Sequence, residues 1–67
     1  MKENDMTRGE RMRAALEAAG KTQAQVAREI GVTTSHLWQV LWDKTGPSVP
    51  LLEHFAAAVG VEPGDLI

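Results

Sequence analysis

The segment Thr22–Trp42, TQAQVAREIGVTTSHLWQVLW, leaves the chain few architectures. Apolar residues recur at Val26, Ala27 and Ile30 and again at Leu37, Val40 and Leu41. Each set follows the i, i+3, i+4 spacing of a helix with one buried face. Thr22 with Gln25 forms a capping-box pattern, so the first of these helices begins at Gln23 and ends near Ile30. Gly31 supplies the positive φ that a sharp turn needs. Val32 is the apolar plug of the turn, and Thr33 is a good N-cap for the second helix, roughly Thr34 to Trp42. At about 100° per residue, Leu37, Val40 and Leu41 share one side of that helix. Thr34, Ser35, Trp38, Gln39 and Trp42 fall on the other, with His36 and Asp43 on a flank. Two tryptophans therefore occupy the middle of an exposed stripe that has no positive charge.

The rest of the chain reads as helices around this pair. Residues 1–6 are a polar, flexible arm. Thr7 and Glu10 make a capping box for a helix running to about Ala19, with Met12, Ala15 and Leu16 as its stripe and Gly20 as its left-handed cap. Asp43–Pro47 is a loop by composition. Ser48 caps a further helix, whose first turn tolerates Pro50 and whose stripe is Leu52, Phe55, Ala56 and Val59, ended by Gly60. Glu62–Ile67 opens a fifth helix, with Pro63 at its first position and Asp65 near the positive end of its dipole. No strand pattern or repeat competes.

At 67 residues the chain is one domain close to the lower size limit for a self-sufficient core. With no cysteine there is no disulfide or thiolate site, and stability must come from packing, caps or dimerisation. The polar N-terminus is no secretory signal, and the longest apolar run, Phe55–Val59, cannot span a membrane. A cytoplasmic protein is expected. The net charge of −2 disfavours tight binding to a polyanion, but it is unevenly spread. Residues 1–28 hold six basic groups, Lys2, Arg8, Arg11, Arg13, Lys21 and Arg28, against four acidic ones. Residues 29–67 hold Lys44 against five. This split is compatible with docking one way round, and charge alone fits a mixed solvated surface equally well.

A capped helix, glycine turn, apolar plug and second capped helix meet the physical requirements of a helix–turn–helix that enters a DNA groove. Here the sequence resembles the phage repressor and Cro-type (xenobiotic-response-element) helix–turn–helix family. The likeness runs through Arg11-Met12-Arg13, Thr22-Gln23-x-x-x-Ala27, Gly31-Val32-Thr33 and Leu37-x-x-Val40. It continues in Pro47-Ser48, Leu52-x-x-Phe55-Ala56-x-x-Val59-Gly60-Val61 and Asp65-Leu66-Ile67, covering about residues 8–67. The resemblance implies an all-α, compact five-helix lambda-repressor-like domain over residues 7–67, with the helix–turn–helix at helices 2 and 3. It implies helix 3 in the major groove, Gln23 on a phosphate, and Thr34, Ser35 and Gln39 at base edges. The sequence departs from the family at four positions. Leu41 stands where an acidic residue is frequent, Asp43 where glycine is common, and Trp38 and Trp42 where polar or basic groups are usual.

The chemistry suits these roles, since Gln can bond an adenine edge while Thr and Ser hydroxyls serve bases or phosphates. Arg11, Arg28, Lys44 and the Thr33 hydroxyl are candidate phosphate contacts, and His36 can reach the backbone from its flank. For the tryptophans three readings stay open. Trp42 can fold back over Leu41 to complete the core. The pair can pack on sugars and thymine methyls, with Trp38 among the base contacts. Or it can anchor a protein partner. No catalytic constellation, phosphate-binding glycine loop or metal-ligand spacing is present, so no enzyme activity, cofactor or metal is expected. The expected function is a sequence-specific double-stranded DNA-binding regulator, a Cro-like repressor acting as a homodimer, which also fits the small core and the apolar residues left over, Leu51, Ala57 and the Leu66-Ile67 end. No small-molecule ligand is implied. The alternatives are an antitoxin-like or anti-repressor scaffold that binds protein through Trp38 and Trp42, and the DNA-binding module of a larger chain.

Overall fold

The structure is a computed structural model that describes residues 6–66. It contains α1 (Arg8–Ala19), α2 (Gln23–Ile30), α3 (Thr34–Leu41) and α4 (Val49–Val59), followed by a 3₁₀ turn, Pro63–Leu66. Of the arm expected over residues 1–6, only Met6 is described, and it is exposed and non-helical. Residues 1–5 and Ile67 lie outside the described residues.

Every α-helix begins on the hydroxyl expected from the sequence. Thr7, Thr22, Thr33 and Ser48 each accept the amide three residues on. At α1 the box is complete, because the Glu10 carboxylate takes the Thr7 amide at 2.8 Å. Each such cap contributes about 1 kcal/mol. Between α2 and α3, Gly31 holds φ 79° and returns its amide to the Ala27 carbonyl, which aims α3 across α2.

The fifth helix is corrected to a single 3₁₀ turn. Pro63 and Gly64 weaken a four-residue segment that is already too short to offset α-helix nucleation. The Asp65 carboxylate takes the Glu62 amide at 3.3 Å, so the entry to this turn is capped by a bond not anticipated from the sequence.

The anticipated stripes form the core: Met12 and Leu16, Val26 and Ala27, Leu37, Val40 and Leu41, and Leu52, Phe55, Ala56 and Val59. α2 packs on both α3 and α4, α1 on α3, and the 3₁₀ turn closes the end of α4 and α1. Leu51 and Leu66 are corrected as well. Both are buried in this core and unavailable to a partner, Leu51 because α4 packs against both α2 and the 3₁₀ turn, and Leu66 because that turn closes on α4 and α1. Lys21, one of the basic residues of the first half, is tied down. Its ammonium donates to the Ala58 carbonyl at 2.8 Å near the end of α4 and to Glu29 on α2 at 3.0 Å. A cation at the negative end of a helix dipole is favourable, so this lysine serves the fold.

Candidate nucleic-acid interface

α3 presents Thr34, Ser35, His36, Trp38 and Gln39 to solvent and turns Leu37, Val40 and Leu41 inward. The eight-residue helix is therefore sharply two-faced, and the candidate readers share its outer face. At its start the Thr33 oxygen takes the His36 amide at 3.0 Å. The Thr33 hydroxyl hydrogen remains for another acceptor, such as a phosphate oxygen.

α3 stops one residue earlier than its apolar pattern suggests. Trp42 is its C-cap, the Asp43 amide bonds the Val40 carbonyl at 3.2 Å, and the Lys44 amide bonds the Gln39 carbonyl at 2.8 Å. This pair of bonds is a Schellman closure, which needs a left-handed residue just past the cap. Asp43 fills that place with φ 60°, a conformation that ordinarily favours glycine and that Asp tolerates better than most residues. The closure also fixes the backbone of Lys44, an exposed candidate phosphate contact, directly against the end of α3.

Asp43 has a use for its side chain that glycine lacks. Its carboxylate accepts the Thr7 hydroxyl and, at 3.0 Å, the Gly9 amide. One residue thus ends α3 and caps α1. The Thr7 hydrogen bond chiefly, aided by the Gly9 amide and the charges of Arg13 and Arg8, holds this carboxyl below its usual range against an opposing desolvation effect. Because the folded group titrates lower than the unfolded one, its stabilisation is complete above the ordinary carboxylate range. It is lost as pH falls through the depressed folded value. Acid titration monitored by helicity should therefore show Asp43→Asn approaching the unmutated protein in stability as pH drops below that range, and trailing it at neutral pH.

Next to this junction lies Arg13, whose role no local pattern in the sequence indicates. Its Nε donates to the Leu41 carbonyl at 3.0 Å, and its guanidinium lies 3.7 Å from the centroid of the Trp42 ring. Trp42 is in turn 6.3 Å from Trp38, with the rings tilted by 35°. Trp42 therefore does not fold back to complete the core. It is 44% exposed, as is Trp38, and its support comes from α1. The approach of α1 to α3 is possible because Gly9, buried and without a side chain, faces Leu41 and Asp43. A glycine in the first turn of a helix is an unfavourable choice that signals close approach, and that signal was available in the sequence.

The candidate phosphate contacts are spread over several elements. Gln23 is half-buried at the start of α2, Arg28 is exposed in its last turn, and Arg11 is half-buried on α1. The base-edge candidates share one face of α3, whereas the basic candidates stand on other elements, Arg11 on α1, Arg28 on α2 and Lys44 in the loop after α3.

Residues 9–67 match the helix-turn-helix domain family. A comparison with curated protein sequences finds no match. Among solved structures, the restriction-modification controller protein C.AhdI from Aeromonas hydrophila is similar at 27% identity, with a TM-score of 0.84 over 90% of this chain and 91% of that one. The P22 c2 repressor protein, solved in complex with a synthetic operator, is similar at 26% identity. Its TM-score is 0.85 over 92% of this chain and 94% of that one.

Proposed function

The chain belongs to the helix-turn-helix domain family, and from that premise we propose that it is a sequence-specific double-stranded DNA-binding regulator, a Cro-like repressor that occupies an operator as a homodimer. The observation that carries this reading is the two-faced α3, seated on a scaffold similar over 92% of its length to a repressor solved with operator DNA. In this reading α3 enters the major groove. Thr34, Ser35, Trp38 and Gln39 meet base edges, while Gln23, Thr33, Arg11, Arg28 and Lys44 meet phosphates and His36 lies near the backbone. Repression follows from occupancy that excludes a competing protein, with no cofactor and no catalysis, and the setting is the cytoplasm.

Dimerisation is part of the proposal because the reading face is small and uncharged and the net charge is −2. One such module has few phosphate contacts to offer, whereas two on half-sites about one helical turn apart combine theirs. With Leu51 and Leu66 in the core, the exposed apolar groups away from the reading face include, among the described residues, Met6, Val49 (68% exposed at the start of α4) and Ala57.

Selection of bound duplexes from a random pool is the direct test, and it should return a short, roughly palindromic site. Affinity for that site should fall steeply with salt. Arg28→Ala should weaken all sequences alike and reduce the slope of log K against log salt by about 1. Gln39→Ala should relax base preference at one position by about 1–3 kcal/mol. Failure to bind any duplex at low salt would overturn the reading and favour a protein partner instead.

A further inference from the structure

An exposed aromatic side chain on a helix normally samples its rotamers freely, but Trp38 is backed by a row of supports. The Leu41 carbonyl fixes Arg13, Arg13 covers the Trp42 ring at 3.7 Å, and Trp42 stands 6.3 Å from Trp38. Both rings remain 44% exposed, so the row ends in a pre-oriented apolar surface. That surface lies on the outer face of α3, with Ser35 one turn before Trp38 and Gln39 beside it.

An indole offers a groove one N–H donor and no acceptor. Most base-edge groups in the major groove are hydrogen-bonding atoms, and burying them against a ring carbon leaves them unpaired, at a cost. The apolar exception is the C5-methyl group of thymine, and the same carbon bears a methyl in 5-methylcytosine. We propose that Trp38 is a specificity-determining residue selecting a pyrimidine C5-methyl group in the major groove, and that Trp42 and Arg13 are the positioning residues that hold its ring. The inference rests on the DNA reading of α3 and deepens it.

The experiment uses the full chain and the duplex obtained by selection, changing one methyl at a time. Thymine is replaced by uracil at each position in turn, and cytosine by 5-methylcytosine at each position in turn. Removing the contacted methyl should weaken binding about fourfold, the equivalent of one buried methyl group. A loss in the thymine–uracil arm identifies thymine as the source, and a gain in the cytosine arm identifies 5-methylcytosine. Trp38→Ala should abolish whichever difference is found. Arg13→Gln should shrink it while leaving the base preference that depends on Gln39 in place, which general damage to the fold would not do.

Equal affinity in both arms at every position, in a protein that still prefers its selected site, overturns the inference and leaves the DNA reading standing. A methyl preference that survives Trp38→Ala also overturns it. So does a Trp38→Ala protein with unchanged DNA affinity and lost self-association, which reassigns the pair to a protein interface. Absence of binding to any duplex overturns both this inference and the reading beneath it. Absence of any methyl preference in the unmutated protein overturns the inference without recourse to a variant, and Trp38→Phe, which keeps an aromatic ring on this exposed position, should reduce rather than abolish the preference where Trp38→Ala fails to fold.

Discussion

Gly9→Ala should destabilise the domain by about 3 kcal/mol, a large part of what a chain of this length has to lose. On an open helix the same change gains up to about 1 kcal/mol in propensity. Here the sign reverses, because a Cβ at this position overlaps the Leu41 carbonyl oxygen and lies 2.7 Å from the Asp43 carboxylate. The carboxylate can rotate away only by giving up the Thr7 hydroxyl and the Gly9 amide. The Leu41 carbonyl cannot rotate at all, since it belongs to the backbone of α3 and accepts Arg13. Relief requires moving α1 away from α3, which opens the contact between them. Urea unfolding measures the loss, and Gly46→Ala, in open space, is the matched control with an effect within about 0.5 kcal/mol.

Arg13→Ala is the second large effect, about 2–3 kcal/mol in the same assay. A charged donor to a carbonyl contributes about 1.5–3 kcal/mol, and a cation over an indole about 0.5–1 kcal/mol where partly exposed. The two add incompletely because one guanidinium makes both contacts. Arg13→Lys should recover little of the loss, since an ammonium cannot bond the Leu41 carbonyl edge-on while lying flat on Trp42. Tryptophan emission should shift to the red in both variants as the Trp42 ring loses its cover. Full recovery of stability by lysine would mean that charge alone matters at this site.

The parts of this structure that were legible in the sequence share a cause. Helix stripes, caps and the Gly31 turn depend on residues three or four apart, and the spacing of Val26, Ala27, Leu37 and Val40 reports burial directly. The outer face of α3 was readable for the same reason, as the complement of its buried face. What escaped was contact between segments far apart in the chain. The bonds from Asp43 to Thr7 and Gly9 span 36 and 34 residues, and that from Arg13 to Leu41 spans 28. No periodicity encodes them. The left-handed conformation of Asp43 follows from its place just past the C-cap of α3, but nothing nearby in the sequence announced its work as a cap for α1. Leu51 and Leu66 were misassigned for a related reason. A single-face stripe underestimates burial at Leu51, where α4 is covered by more than one element, and Leu66 lies in a 3₁₀ turn that no helical stripe describes.

The junction at Asp43 also bears on the order in which the chain assembles. α2 and α3 meet across a three-residue turn, so their contacts close short loops at small entropic cost. The first turn of α1 depends on a carboxylate supplied from more than thirty residues away, and that carboxylate is in place only once α3 has terminated correctly. The helix–turn–helix therefore forms early in folding. Docking of the α1 start follows the termination of α3, because it relies on polar contacts that span 36 and 34 residues. A chain read from its N-terminus thus completes the start of its first helix only after its third has ended.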